Sequence, residues 1–256
     1  MRSQRARRVA GYGELGLHGQ HPDVGLGLVH AAGPSLSDDF HDSLLVNWQS
    51  NVFGAAPTWS LKTPAVEHEI GVQTLTTAAG AGAGAVALRA TAADFYRVPP
   101  PGSAWAVKLR QTVGVTTYEL WSGFVSAASR VRTADAVAFV GVRVDRAVDG
   151  NLYGVVKSAA GAGNETTIDL GVSPEAAWQI VGFEVEGTVA APSVQFYRWS
   201  LTSRTVKRVA IGAAIATTMP ALPLYSCAIG LVTTGAPSRE ADIDFWSLGG
   251  RTARGP

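Results

Sequence analysis

The run Glu240-Ala241-Asp242-Ile243-Asp244-Phe245 places three carboxylates at alternate positions, and a strand sends alternate side chains to one face. Carboxylates sharing a face can divide the roles of proton donor and acceptor, or form half of a cation site. The same run also describes a plain solvated acidic face, with Ile243 and Phe245 packing inward. Glu67-His68-Glu69 repeats the arrangement without a matching second pair at a fixed offset. His18-Gly19-Gln20-His21 has a spacing found in metal sites, but no acid or cysteine accompanies it at the offset of structural zinc. Cys227 is the only cysteine, which excludes an intrachain disulfide and a cysteine-based metal site. No Gly-x-Ser-x-Gly elbow, phosphate loop or dinucleotide fingerprint occurs, and Gly80-Ala81-Gly82-Ala83-Gly84 lacks the Lys-Ser/Thr of a phosphate cradle. These residues give no catalytic set, no metal and no cofactor.

Seven tryptophans are the remaining candidates. Trp48, Trp105 and Trp178 lie in runs expected to be core. Trp59, Trp121, Trp199 and Trp246 could line an open face and stack on sugar rings. Core and protein-interface positions are the favoured alternative for them, because interfaces are rich in aromatic residues. At the other end of the chain Arg2, Arg5, Arg7 and Arg8 fall within the first eight residues. They describe either a frayed, solvated terminus or a basic arm docking on an acidic protein surface or on packaged nucleic acid. The net charge of +1 supplies no long-range field for nucleic acid. Gly11, Glu14 and His18 interrupt any apolar stretch after the basic start, so a secretory signal is not expected. The most apolar stretch, 209–224, is broken by Pro220 and Pro223 and is not expected to span a membrane.

The elements that must position these residues are strands. Charged residues make up only 16% of the chain, and it holds 29 Gly. Residues 1–37 carry recurrent Gly with little apolar alternation, which predicts an extended arm with no core of its own. From Asp38 onward period-2 alternation dominates. Residues 70–76 and 86–90 read as a hairpin across the Ala/Gly loop. Trp105, Val107 and Leu109 alternate with Ala106, Lys108 and Arg110, and 118–125 follows as a strand. Asp149-Gly150 between 137–146 and 151–157 is the strongest hairpin signal, since both residues tolerate positive φ. Runs at 166–170, 178–186, 194–199, 206–211, 226–232 and 242–248 bring the count to about a dozen strands at hairpin spacing. Pro174 to Ala177 is the single helix candidate, one turn long. The sum is an all-β sandwich of two antiparallel sheets over 38–249, with a tail at 250–256.

With the strands placed, the chain resembles the concanavalin A-like jelly roll shared by legume lectins, laminin-G-like modules and family 16 glucanases. The resemblance is carried by Asp39-Phe40, Asp42 and Trp48 at the start, by Trp178 to Glu184 followed by Val194 to Tyr197 in the middle, and by Asp242-Ile243-Asp244-Phe245 at the close. Retaining glucanases of this fold carry Glu-x-Asp-x-x-Glu, whose two glutamates are nucleophile and acid/base. Here Phe245 stands where the second glutamate would be, and the run lies on the last strand rather than mid-chain. The resemblance extends to bacteriophage proteins that decorate capsids or sit on tails. It implies a non-enzymatic virion protein, homo-oligomeric and joined to neighbouring subunits through the arm and Arg2, Arg5, Arg7 and Arg8. The alternative is a lectin-like carbohydrate-binding module using Trp59, Trp121, Trp199 and Trp246, with a diverged glycoside hydrolase behind it.

Overall fold

The computed structural model describes residues 36–38, 49–53, 58–61, 72–80, 84–89, 101–113, 117–125, 138–175, 177–202, 205–220, 225–233 and 238–250. In chain order the strands are β1 (Leu36–Asp38), β2 (Gln49–Phe53), β3 (Thr58–Leu61), β4 (Gln73–Thr76), β5 (Gly84–Arg89), β6 (Ser103–Val113), β7 (Tyr118–Val125) and β8 (Phe139–Asp145). They continue with β9 (Tyr153–Lys157), β10 (Glu165–Asp169), β11 (Gln179–Thr188), β12 (Ala191–Thr202), β13 (Thr205–Ile215), β14 (Tyr225–Thr233) and β15 (Glu240–Gly250). Sheet A has the order β13-β12-β11-β6-β15-β4-β3, with β1 also paired to β15. Sheet B has the order β10-β9-β8-β7-β14-β5-β2.

The alternation of each strand explains the layering. On β6 Trp105, Val107 and Leu109 point into the sandwich, and on β7 Tyr118, Leu120 and Phe124 meet them from sheet B. Val140, Val142 and Val144 of β8 join the same core, as do Phe183 of β11 and Phe196 of β12. The aromatic rings interlock in edge contacts: Phe124 lies 6.4 Å from Trp105 and 6.0 Å from Phe183, and Phe183 lies 5.9 Å from Phe196. Such offset and edge geometries suit the ring quadrupole and add to the gain from burial. No helix among the described residues is long and apolar enough to cross a membrane.

Three expectations change. The runs at 70–76 and 86–90 form no hairpin: β4 pairs with β3 and β15 in sheet A, whereas β5 pairs with β2 and β14 in sheet B. Their connection passes from one sheet to the other, which a long Ala/Gly loop permits and a tight turn does not. The described residues of the helix candidate are not helical; Glu175 instead forms an isolated parallel bridge to Gln111. Trp178 is half-buried on the outer face of sheet A rather than in the core.

Phe183 touches rings from both sheets, so its loss leaves a cavity that neither sheet can close alone. Phe183→Ala is expected to lower unfolding free energy by about 3–5 kcal/mol. Urea denaturation checks this, and a loss under about 1 kcal/mol, the size of a surface change, would show that the rings do not join the sheets.

Candidate functional site

Because Tyr118, Leu120 and Phe124 face the core, Glu119, Trp121, Gly123 and Val125 face the other way. On β8 the residues opposite the core valines are Phe139, Gly141, Arg143 and Asp145. The registers assemble these into rows on the outer face of sheet B. Glu119 stands opposite Asp145, and Trp121 opposite Arg143, Tyr153 and Asp169 in turn. Gly123 pairs with Gly141, and Val125 with Phe139. A Cβ on Gly141 would lie 2.7 Å from the Cα of Gly123 and 2.8 Å from the Phe139 ring, so the centre of this face must stay bare of side chains.

This outer face is not a simple solvated one. Trp121, Val125, Phe139 and Val155 form a second apolar cluster, with Trp121 and Phe139 edge to face at 5.8 Å. Glu119 is 0% exposed and Asp145 8%. Arg143 sits among the acids: its Nε donates to Asp149 Oδ2 at 3.3 Å and its NH1 to Glu165 Oε1 at 2.9 Å. Burial alone would lower the Arg143 pKa, but the charges of Glu165, Asp149 and Glu119 outweigh it and hold the guanidinium above its ordinary value. Asp149 also accepts from the backbone N–H of Asp145 at 2.8 Å, and Asp145 Oδ1 accepts from the Ala147 amide at 3.0 Å. The turn after β8 is thereby built around the same carboxylates. Behind them Arg146 pairs with Glu175 at 2.7 Å. The Tyr118 hydroxyl, turned inward, is pushed well above the ordinary phenol value by burial and by Glu175, against a smaller opposing effect of Arg146.

The acidic closing strand has a different fate. On the outer face of sheet A, Asp242 and Asp244 are both 0% exposed. Asp242 Oδ2 accepts from Arg110 Nε at 2.9 Å, its Oδ1 accepts from Thr74 Oγ1 at 2.7 Å, and Asp244 pairs with Lys108. The ring of Trp178 covers both cations, 4.9 Å from Lys108 Nζ and 4.3 Å from Arg110 Cζ. Glu240 accepts from Thr112 Oγ1 at 3.0 Å. Asp242 and Asp244 are thus paired with cations and Glu240 with a hydroxyl, rather than forming a solvated face. A β-bulge between Ile243 and Phe245 sets Phe245 in register with Lys108; its side chain lies outside the described residues.

Of the four candidate tryptophans, Trp121 lies on sheet B at 0% exposure and Trp199 on the outer face of sheet A at 8%. Trp59 is on β3 opposite Leu75 and Trp246 on β15 opposite Val107; their side chains lie outside the described residues. The four are spread over both sheets rather than brought together. Arg2, Arg5, Arg7, Arg8, Glu67, Glu69, His18 and His21 also lie outside the described residues. Glu119, Arg143 and Asp145 were overlooked in the sequence, although Tyr118 to Val125 and Val140 to Asp145 show the needed pattern of charged residues alternating with core residues.

No family model matches the chain, and no curated protein matches it. Solved structures do match in fold. A native glycosidic hydrolase aligns with a TM-score of 0.55 at 10% identity, covering 85% of this chain and 96% of that one. The β-glucanase of Bacillus licheniformis aligns at 0.53 and 10% identity, covering 86% and 100%. A prokaryotic β-1,3-1,4-glucanase (lichenase) derived from a mouse hindgut metagenome aligns at 0.53 and 9%, covering 84% and 99%. At these identities the likeness is one of fold: the chain has the concanavalin A-like jelly roll of the glucanases. This corrects the virion reading. The architecture that prompted it is matched nearly end to end by glycoside hydrolases, so the bacteriophage capsid or tail role, the virion subunits and homo-oligomer as partners, and the virion location are set aside. The non-enzymatic expectation falls with it, because it was judged on the closing strand of sheet A while facing carboxylates lie on sheet B.

The raised Tyr118 pKa has a consequence for stability. The unfolded chain releases this proton near the ordinary value of 10.0, whereas the folded chain holds it to higher pH. The contribution is therefore complete below pH 10 and lost as pH rises toward the folded value. Urea melts at rising pH should show Tyr118→Phe losing about 1 kcal/mol less per pH unit above 10 than the wild type. Equal losses in the two would contradict the assignment.

Proposed function

We propose that this chain is a carbohydrate-directed protein that receives a glycan along the outer face of sheet B. The observation carrying this reading is the row structure of that face: Trp121, Arg143, Tyr153 and Asp169 lie side by side on adjacent strands, next to Glu119 opposite Asp145. Sugar sites combine apolar ring faces with a few fixed polar groups, and this face supplies both. The likeness of fold to glucanases over 84–86% of the chain supports the same choice of ligand.

One feature favours a second, hydrolytic reading. Directly opposed residues of an antiparallel pair hold their Cβ atoms about 4.5–5.5 Å apart. Retaining glycosidases keep their two carboxyl groups about 5–5.5 Å apart, one as nucleophile and one as acid/base. Glu119 and Asp145 come from neighbouring strands rather than from one motif, yet their register sets the two side chains next to each other on one face. The charge of Glu119 is among those that raise the Arg143 pKa, so a guanidinium stands in the field of the pair.

The test uses the full chain with mixed-linkage β-glucan and laminarin. Retardation in affinity electrophoresis is expected, together with release of reducing ends if the pair is catalytic. Glu119→Gln and Asp145→Asn should each lower kcat at least about 100-fold while leaving retardation in place. Retardation without release in the wild type would select the binding reading. Neither retardation nor release on any glucan would remove both.

A further inference from the structure

The strand that carries Glu119 begins on a strained residue. Thr117 has φ of 56°, in the left-handed region where a β-branched residue is an outlier. It is exposed, so its own packing does not hold it there. Among the described residues Arg239, only 3% exposed, reaches it: its NH2 donates to Thr117 Oγ1. Arg239 is itself fixed from three directions. The Thr77 amide donates to its carbonyl at 2.9 Å, its own amide donates to Thr77 Oγ1 at 2.9 Å, and its NH1 donates to the Ser238 carbonyl at 2.9 Å. From the opposite side the Arg146 amide donates to the Tyr118 carbonyl at 2.9 Å.

We propose that Arg239 is a positioning residue for Glu119: by holding Thr117 in its left-handed conformation it fixes where β7 starts and keeps Glu119 opposite Asp145. The consequence follows from the period of a strand. A one-residue slip would turn Glu119 toward the core, where Tyr118 and Leu120 now pack, and would take it away from Asp145. The contact of Arg239 with Thr117 gives it a route to Glu119 through the backbone of residues 117–119. The functional part of this inference rests on the reading of sheet B as the glycan-facing surface; the geometric part does not.

The experiment compares the full-length wild type with Arg239→Gln, Thr117→Val, Thr117→Gly and the double variant Arg239→Gln/Thr117→Gly. Glycine adopts φ near 56° without steric cost, so it removes the need for the clamp. Amide hydrogen exchange at Glu119 and Trp121 should rise at least about tenfold in Arg239→Gln and in the milder Thr117→Val, which keeps the β-branch but loses the acceptor. Thr117→Gly should exchange like the wild type, and the double variant should return to within about threefold of it. On mixed-linkage β-glucan, Arg239→Gln should lower kcat at least about tenfold with KM within about twofold, and the double variant should recover most of that loss. Unchanged exchange in both Arg239→Gln and Thr117→Val overturns the proposal. So does a loss that persists undiminished in the double variant, since Arg239 would then act through its other contacts. The expected exchange pattern in a protein that neither binds nor cleaves glucan would uphold the positioning of Glu119 and remove the proposed function.

Discussion

The contact of Phe124 on sheet B with Trp105 and Phe183 on sheet A is the constraint on which the remaining arrangement depends. It joins the central strands of the two sheets, and it fixes which way each of them faces. Once Phe124 is inward, the period of two leaves β7 no choice: Tyr118 and Leu120 are inward with it, and Glu119 and Trp121 are outward. The same logic on β8 turns Val140, Val142 and Val144 in and Arg143 and Asp145 out. The facing of Glu119 and Asp145 is thus a by-product of core packing, fixed by residues that have no chemistry of their own.

The two outer faces then use charge differently. On sheet A each acid of the closing strand meets a cation or hydroxyl on its own sheet, and Trp178 covers the result. Buried ion pairs of this sort cost desolvation and return it only when the geometry is good, so they fix a register more than they add stability. On sheet B the guanidinium of Arg143 gathers acids from β10 and from the turn after β8, while Glu119 contributes to the same field from β7. The glycines at 123 and 141 let the two strands approach closely in the middle of that face, and aromatic rings flank it. One outer face is closed on itself; the other has the mixture of rings and polar groups that a sugar requires.

The strands were largely legible because alternation is a local signal. Tyr118 to Val125 is read directly, and Asp149-Gly150 marks the β8–β9 hairpin. Sheet membership was less so: whether the run after an Ala/Gly loop returns to its own sheet or crosses to the other depends on contacts far along the chain, and β4 and β5 went to different sheets. The candidate site was missed for a related reason. Its carboxylates belong to two strands and meet only through register, whereas the acids of the closing strand are adjacent in sequence and drew attention first. Phe245 stands where that closing run would need its second glutamate, but it carries no information about sheet B. The virion reading joined the Gly-rich arm, the low charge and the lack of a catalytic motif to a fold that glycoside hydrolases share.

The central claim is that sheet B, not sheet A, is the glycan-facing surface. Its most direct test is a heteronuclear NMR titration of the full chain with a mixed-linkage β-glucan oligosaccharide, following the indole N–H resonances of Trp121 and Trp178. The account predicts a shift at Trp121 and in the amides of Arg143 and Tyr153, with Trp178 unmoved over its buried ion pairs. Shifts confined to Trp178, Tyr197 and Trp199 would place the glycan on sheet A and contradict it.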